Sequence, residues 1–172
     1  MRLFTIEDCI NNYVVRLIRC NHSVRYHGPV HETISVHPRG VVPDSVYFEY
    51  APKKIGKQKS KDRLVRDYTF LKKNYAKAKT DARTLFYLGQ TCQFMQDWHQ
   101  AIFFYQKRLE LGFLSEEKYL SAYRIGYAIE HIMEESQGDV IQKYTWENSL
   151  YYYLKAHQML PHRAEPLFRI AC

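Results

Sequence analysis

The chain has 172 residues, 46% of them apolar and 15% aromatic, enough to build a core in one or two compact units. Its uninterrupted apolar runs, such as Ile102 to Tyr105, fall far short of the ~20 residues that a membrane-spanning helix needs. Glu7 and Asp8 stand where a signal peptide would need an apolar centre, so a cytoplasmic protein with no membrane span is expected.

The first 50 residues read as strand material. Tyr13 to Arg19 is β-branched and apolar, Asn21 to Ser23 can turn the chain, and Val24 to His27 can return it as a hairpin. After Gly28-Pro29, the run Val30 to Val36 alternates as a strand does. Val30, Glu32, Ile34 and Val36 would share one face, which puts Glu32 among apolar neighbours, and His31, Thr33, Ser35 and His37 the other. Pro38, Gly40 and Pro43 break the run, and Val46 to Tyr50 can form one more strand. Cys20, His22, His27 and His31 lie close together, but Gly28-Pro29 rules out a shared helical face and the spacing fits no common zinc pattern. No structural zinc is expected. The four cysteines, Cys9, Cys20, Cys92 and Cys172, form no CxxC pair and read as reduced thiols.

The net charge of +7 is concentrated, with 12 Lys or Arg residues between Lys53 and Arg83 against Asp62, Asp67 and Asp81. Residues 51–63 are polar and read as a basic linker. From Leu64 to Ala78, the positions Leu64, Asp67, Tyr68, Leu71 and Tyr75 recur at three- and four-residue steps and predict an amphipathic helix. A cationic stretch can meet nucleic acid. Here the aromatic residues fall on the helical stripe and not between the charges, so a solvated surface is expected and a nucleic-acid partner is not.

From Leu85 to Leu111 the spacing matches one tetratricopeptide repeat, a helix-turn-helix unit. Leu85, Leu88 and Gly89 occupy the first-helix positions, and Ala101 and Tyr105 the second-helix positions. Gly89 and Ala101 lack bulk, so two helices can approach closely while Leu85, Leu88 and Tyr105 fill the space beside them. Ala122, Ile125 and Gly126 repeat the first pattern; Ser149, Tyr153, Ala156 and Pro161 repeat the second. Gly89 and Ala101 are 12 apart, whereas Gly126 and Ser149 are 23 apart, which implies an insertion of 11 residues, placed at a loop around Glu134 to Tyr144. Leu167, Ile170 and Ala171 begin a third repeat. The chain then stops within a helix, with an apolar face uncapped, so a piece of a longer protein is expected. Tyr144, Tyr151, Tyr152 and Tyr153 crowd the second repeat, with Trp146 and Trp98 nearby in pattern. Tyr153 is expected in the core, with one or two of the others facing water.

The order RLIR, RYHGPVHE, VYFEYAP, a basic linker, RDYTFLKK, RTLFYLGQT and PHRAEPLF resembles the C-terminal part of family 2 glycosyltransferases with tetratricopeptide-like tails. The resemblance covers nearly the whole chain, from about Tyr13 onward. It departs in Gly89, where alanine is more usual, and in the 11-residue insertion. It implies a mainly α fold, an α-solenoid of tetratricopeptide-like helical repeats over 64–172, after a linker at 51–63 and a short β-rich remnant of an α/β glycosyltransferase domain over 1–50. It implies sugar transfer from a nucleotide-sugar donor in the full-length protein, with the repeats holding an acceptor or partner protein or peptide, or a second copy as a homodimer. Glu32 is singled out as catalytic, orienting His31 or bonding an acceptor hydroxyl. His31 would bind substrate at the donor diphosphate or serve as a metal ligand. Such enzymes hold Mg²⁺ or Mn²⁺ on a D-x-D motif. This chain has no D-x-D and no glycine-rich phosphate loop, so no cofactor is expected in it and no catalysis by it alone. The other reading is a stand-alone tetratricopeptide-repeat adaptor that binds a protein without catalysis.

Overall fold

The computed structural model describes residues 2–4, 11–13, 24–28, 30, 32–34, 40, 43, 45, 48–49, 56–112, 116–136 and 144–172. The chain divides into two compact units, Met1–Ser60 and Lys61–Cys172. Its described part is mainly helical.

In the first unit, β1 (Arg2–Phe4) pairs antiparallel with β2 (Asn11–Tyr13). A second pair is β3 (Tyr26–His27) with β4 (Thr33–Ile34), also antiparallel, Tyr26 facing Ile34 and His27 facing Thr33. β5 (Phe48–Glu49) runs parallel to β1, giving the sheet order β2-β1-β5. The strand at Tyr26–His27 pairs with β4; residues 14–23, its expected partner and turn, lie outside the described residues. Gly28 lies in the connection between β3 and β4. Gly28 has φ +117°, a conformation an L side chain rarely adopts, and it lets the chain turn directly after β3. Of the run Val30 to Val36, Thr33–Ile34 form β4 and Val30 and Glu32 precede it, while residues 31, 35 and 36 lie outside the described residues.

The first helix, α1 (Gly56–Lys77), begins in the last residues of the first unit, well inside the stretch read as a linker, and continues into the second. Residues 56–63 are helical because, after Gly56, they contain only residues that tolerate a helix, with Lys, Gln and Arg among its good formers. The expected stripe is present: Leu71 is fully buried and Leu64, Asp67, Tyr68 and Tyr75 are half-buried. Tyr75 meets the ring of Phe104 edge-on, centroids 5.6 Å apart.

There follow α2 (Ala82–Phe94), α3 (Trp98–Glu110), α4 (Glu116–Glu135), α5 (Trp146–Met159) and α6 (Glu165–Ala171), each packed on the next from α2 to α6. Asp81 and Asp97 cap α2 and α3, their carboxylates accepting from Thr84 N (3.3 Å) and Gln100 N (3.2 Å). Gln96, with φ 61°, reverses the chain between α2 and α3, and Asp97 N–H closes α2 by donating to Cys92 O at 2.9 Å. Trp98, at the start of α3, donates to Glu135 at the end of α4 (2.9 Å), while Arg108 near the end of α3 lies 3.6 Å from Glu117 near the start of α4. The two helices are therefore antiparallel.

Both helical hairpins are joined by the same contact. A Cβ added to Gly89 would lie 2.6 Å from the Tyr105 ring, and one added to Gly126 would lie 2.8 Å from the Tyr153 ring. Leu85, Leu88, Ala101, Tyr105, Ala122, Ile125, Ser149, Tyr153 and Ala156 are all buried, as their pattern predicts. Ser149 stands where Ala101 does and satisfies its hydroxyl by donating to Gly126 O at 3.0 Å.

The insertion is divided rather than looped out. α2 ends five residues after Gly89 and α4 nine after Gly126, while three residues join α2 to α3 and ten join α4 to α5. Four of the eleven extra residues therefore lengthen the helix, Glu134 among them, and seven lengthen the connection. Residues 137–143 lie outside the described residues.

Replacing Gly89 by Ala should lower the urea midpoint, although alanine is the better helix former. Overpacking typically costs ~1–3 kcal/mol against ~1 kcal/mol of recovered propensity. Adding Tyr105→Leu should recover part of the loss contributed by the new Cβ, and a midpoint unchanged or raised by Gly89→Ala would show that the close approach is not a constraint.

Candidate functional site

Of the two hairpin residues singled out by sequence, only Glu32 is among the described residues. Glu32 is exposed in the turn between β3 and β4, away from the apolar surroundings its alternation implied, because the strand begins only at Thr33. His31, together with Cys20 and His22, lies outside the described residues, and His27 is exposed on β3. Among the described residues, no three His, Cys, Asp or Glu side chains are grouped to hold a metal ion. The Mg²⁺ or Mn²⁺ call on His31 falls on a residue outside those described, and no step is assigned to such an ion.

The helical unit instead presents an ordered face along α2, α4 and α6. On α2, Arg83, Tyr87, Gln90 and Phe94 recur at helical steps, and on α4 so do Leu120, Arg124, Tyr127 and His131. The second set stands 37 residues after the first, the same shift that relates Gly89 to Gly126. Consecutive helices of this face are tied by arginine. Arg124 on α4 reaches back to α2, where the Gln90 amide oxygen accepts from it at 3.1 and 3.2 Å. It also donates to Tyr105 Oη at 3.1 Å and lies over the Phe86 ring at 5.4 Å. Arg169 on α6 reaches back to α4 in the same way, 5.3 Å above the Tyr127 ring and paired with Glu130. Gln90 and Tyr127 are equivalent positions, as are Arg124 and Arg169. The rungs are the same device used twice.

Two further ties hold the ends of this face. Arg83 pairs with Glu117 at 3.3 Å, joining the starts of α2 and α4. Arg163, in the turn before α6, pairs with Glu116 and with Glu165 (2.6 Å) and covers the Tyr119 ring at 4.9 Å. The segment PHRAEPLF thus works as a clamp at the α5–α6 turn, with Pro166 buried in the first turn of α6. At the other end of α4, His131 stacks on Trp98 with centroids 4.5 Å apart and 7° between planes, and its Nδ1 lies 3.2 Å from Glu134.

The tyrosines divide much as expected. Tyr153 is in the core, Tyr151 is 57% exposed, Trp146 is exposed, and the half-buried Tyr152 accepts from Gln106 at 2.9 Å. Tyr144 lies beside His99, ring centroids 5.9 Å apart. Burial pushes the phenols of Tyr105 and Tyr119 up to about 12 and the thiol of Cys92 to about 12, so none of these ionises near neutrality. In the third first-helix segment, Leu167 is 45% exposed, whereas Leu85 at the corresponding position is buried.

With half-buried Tyr87, Gln90, Arg124 and Tyr127, and Phe94 62% exposed, this face offers planar rings, amides and guanidinium edges. Such groups suit the contact of a polypeptide in trans. Reading the sequence missed the arginine rungs. Their signal was present as R-I-G at Arg124 to Gly126 and R-I-A at Arg169 to Ala171, an arginine two residues before each small position. No family model matches the chain, and no curated protein matches it in sequence.

The Glu165 carboxyl is held down to about 2, first by its hydrogen bonds from Arg163, from an ordinary value of 4.5. A depressed acid contributes stability that is fully present above its unfolded value and is lost as pH falls through its folded value. The Arg163 clamp should therefore weaken between about pH 4.5 and 2. Both side chains are partly exposed, so its worth is on the order of 0–1 kcal/mol. The difference in urea midpoint between the wild-type chain and Glu165→Gln should be positive near pH 6 and close towards pH 2.

Proposed function

We propose that the helical unit is a tetratricopeptide-like array that binds an extended protein or peptide segment across the α2, α4 and α6 face. The observation that carries this reading is the repeated close approach of Gly89 to Tyr105 and Gly126 to Tyr153, the small-on-large contact that such repeats use to pair their helices. The recurrence of the arginine rungs on the same helices supports it. A partner in this position would meet Tyr87, Gln90 and Phe94 on α2 and Arg124 and Tyr127 on α4.

In this proposal the chain is the C-terminal segment of a family 2 glycosyltransferase of the cytoplasm, its strands the end of a nucleotide-sugar domain. The bound polypeptide is then the acceptor or a partner, which a second copy of the chain can also supply. Glu32 and His31 keep the roles the resemblance implies, and the metal and donor belong to a D-x-D half absent from this sequence. The second reading is a stand-alone adaptor that binds a protein through the same helical face without catalysis.

Peptides selected by display against the whole chain should lose roughly tenfold in affinity with Tyr127→Ala or Phe94→Ala, about 1–2 kcal/mol each, and with the exposed Phe94→Ala the urea midpoint should not move. Selected peptides indifferent to both changes would remove the array's face as the binding site. Sequencing the transcript upstream of Met1 separates the two readings. An in-frame segment with D-x-D supports the transferase, whereas a stop codon leaves the adaptor.

A further inference from the structure

We infer that the outer face of α1 is a binding strip for single-stranded nucleic acid, in which four cations hold the phosphates and the ring of Phe70 stacks on a base. The sequence argued against such a partner because its aromatics were placed on the buried stripe. Phe70 is the exception: it is 48% exposed.

Arg63, Arg66, Phe70, Lys73 and Lys77 follow one another at steps of three, four, three and four residues, so they lie in one line along the helix. All five are exposed. The line runs 14 residues, about 21 Å at the helical rise. Over residues 61–79 there are seven Lys or Arg against Asp62 and Asp67, a net +5 of the whole chain's +7. Asp67, 3.4 Å from Arg66, sits on the half-buried side of the helix and leaves that guanidinium 63% exposed.

Three kinds of anionic partner suit a row of cations, and the other side of α1 chooses among them. A helix that lies in a lipid surface needs a continuous apolar face to insert. On α1 that face is already spent: Leu71 is fully buried and Tyr75 is packed on Phe104. An acidic polypeptide would answer the charges but has no use for a lone ring between them. A cationic line with an aromatic ring at its middle is the arrangement that holds a single strand, phosphates on the charges and a base on the ring.

The test is fluorescence anisotropy of the full chain with labelled oligo(U) and oligo(dT) of about 20 nucleotides, titrated with salt. Binding should weaken on a log–log salt plot, and Arg66→Gln with Lys73→Gln should reduce that slope by about 1.4, roughly 0.7 per lost phosphate contact. Phe70→Ala should weaken binding roughly tenfold and Phe70→Trp should restore it. All these positions are exposed, so the urea midpoint should not move. The inference is overturned if neither oligonucleotide binds at low salt, or if Phe70→Ala binds as the wild type does. Polyglutamate competing as well as oligo(U) at equal charge would assign the strip to acidic polypeptides. Flotation with phosphatidylserine vesicles without oligonucleotide binding would assign it to lipid.

Discussion

The helical unit rests on two places where a glycine has no side chain and a tyrosine ring takes that volume. At Gly89 and Gly126 the ring stands closer than a Cβ could tolerate, so the backbone of one helix meets the flat side of a residue from the next. Removing a methyl from the helix surface costs propensity. It allows Tyr105 and Tyr153, both fully buried, to fill the space between paired helices at the density of a protein interior. The surrounding Leu85, Leu88, Ile125 and Ala156 can only be buried once that approach is made.

The arginine ties depend on this geometry. Once the hairpins are closed, α4 lies beside α2 and α6 beside α4, and an arginine two residues before the small position of each helix reaches the preceding one. The same side chain meets different company in each place, an amide and a phenol for Arg124, an aromatic ring and a carboxylate for Arg169. Guanidinium suits both because it presents a planar fork to acceptors and a flat face to rings. The face so built is polar and aromatic together. The proposed contact with another polypeptide rests on that mixture.

The parts legible in sequence were those set by local volume and period. Gly89, Ala101 and Tyr105 announced a helical hairpin because small and large residues at those steps have few other uses, and Leu71 marked the inner stripe of α1 by the same logic. Where polarity was read as structure, the reading went astray. The basic residues from Gly56 to Arg63 suggested a linker, yet lysine, glutamine and arginine are good helix formers. Glu134 was placed in a loop for want of any local mark of where α4 ends, and the helix takes up four of the inserted residues before the connection begins. Strand pairing was harder still. Which partner Tyr26–His27 takes depends on the turn at Gly28 and on what lies across from it, and neither is written in the alternation of side chains.

The sequence by itself determined the helical hairpins and the identity of their buried contacts, because a missing side chain and a matching ring are properties of residues at fixed helical offsets. The tertiary structure alone decided which charged and aromatic residues meet across helices. Arg124 with Gln90, Arg169 with Tyr127 and Arg163 with Glu116 are separated by 34, 42 and 47 positions in the chain, and only the packing of the intervening hairpins brings them within reach. It also decided the position of Phe70, since the exposure of a ring on an amphipathic helix depends on which side the neighbouring helices occupy.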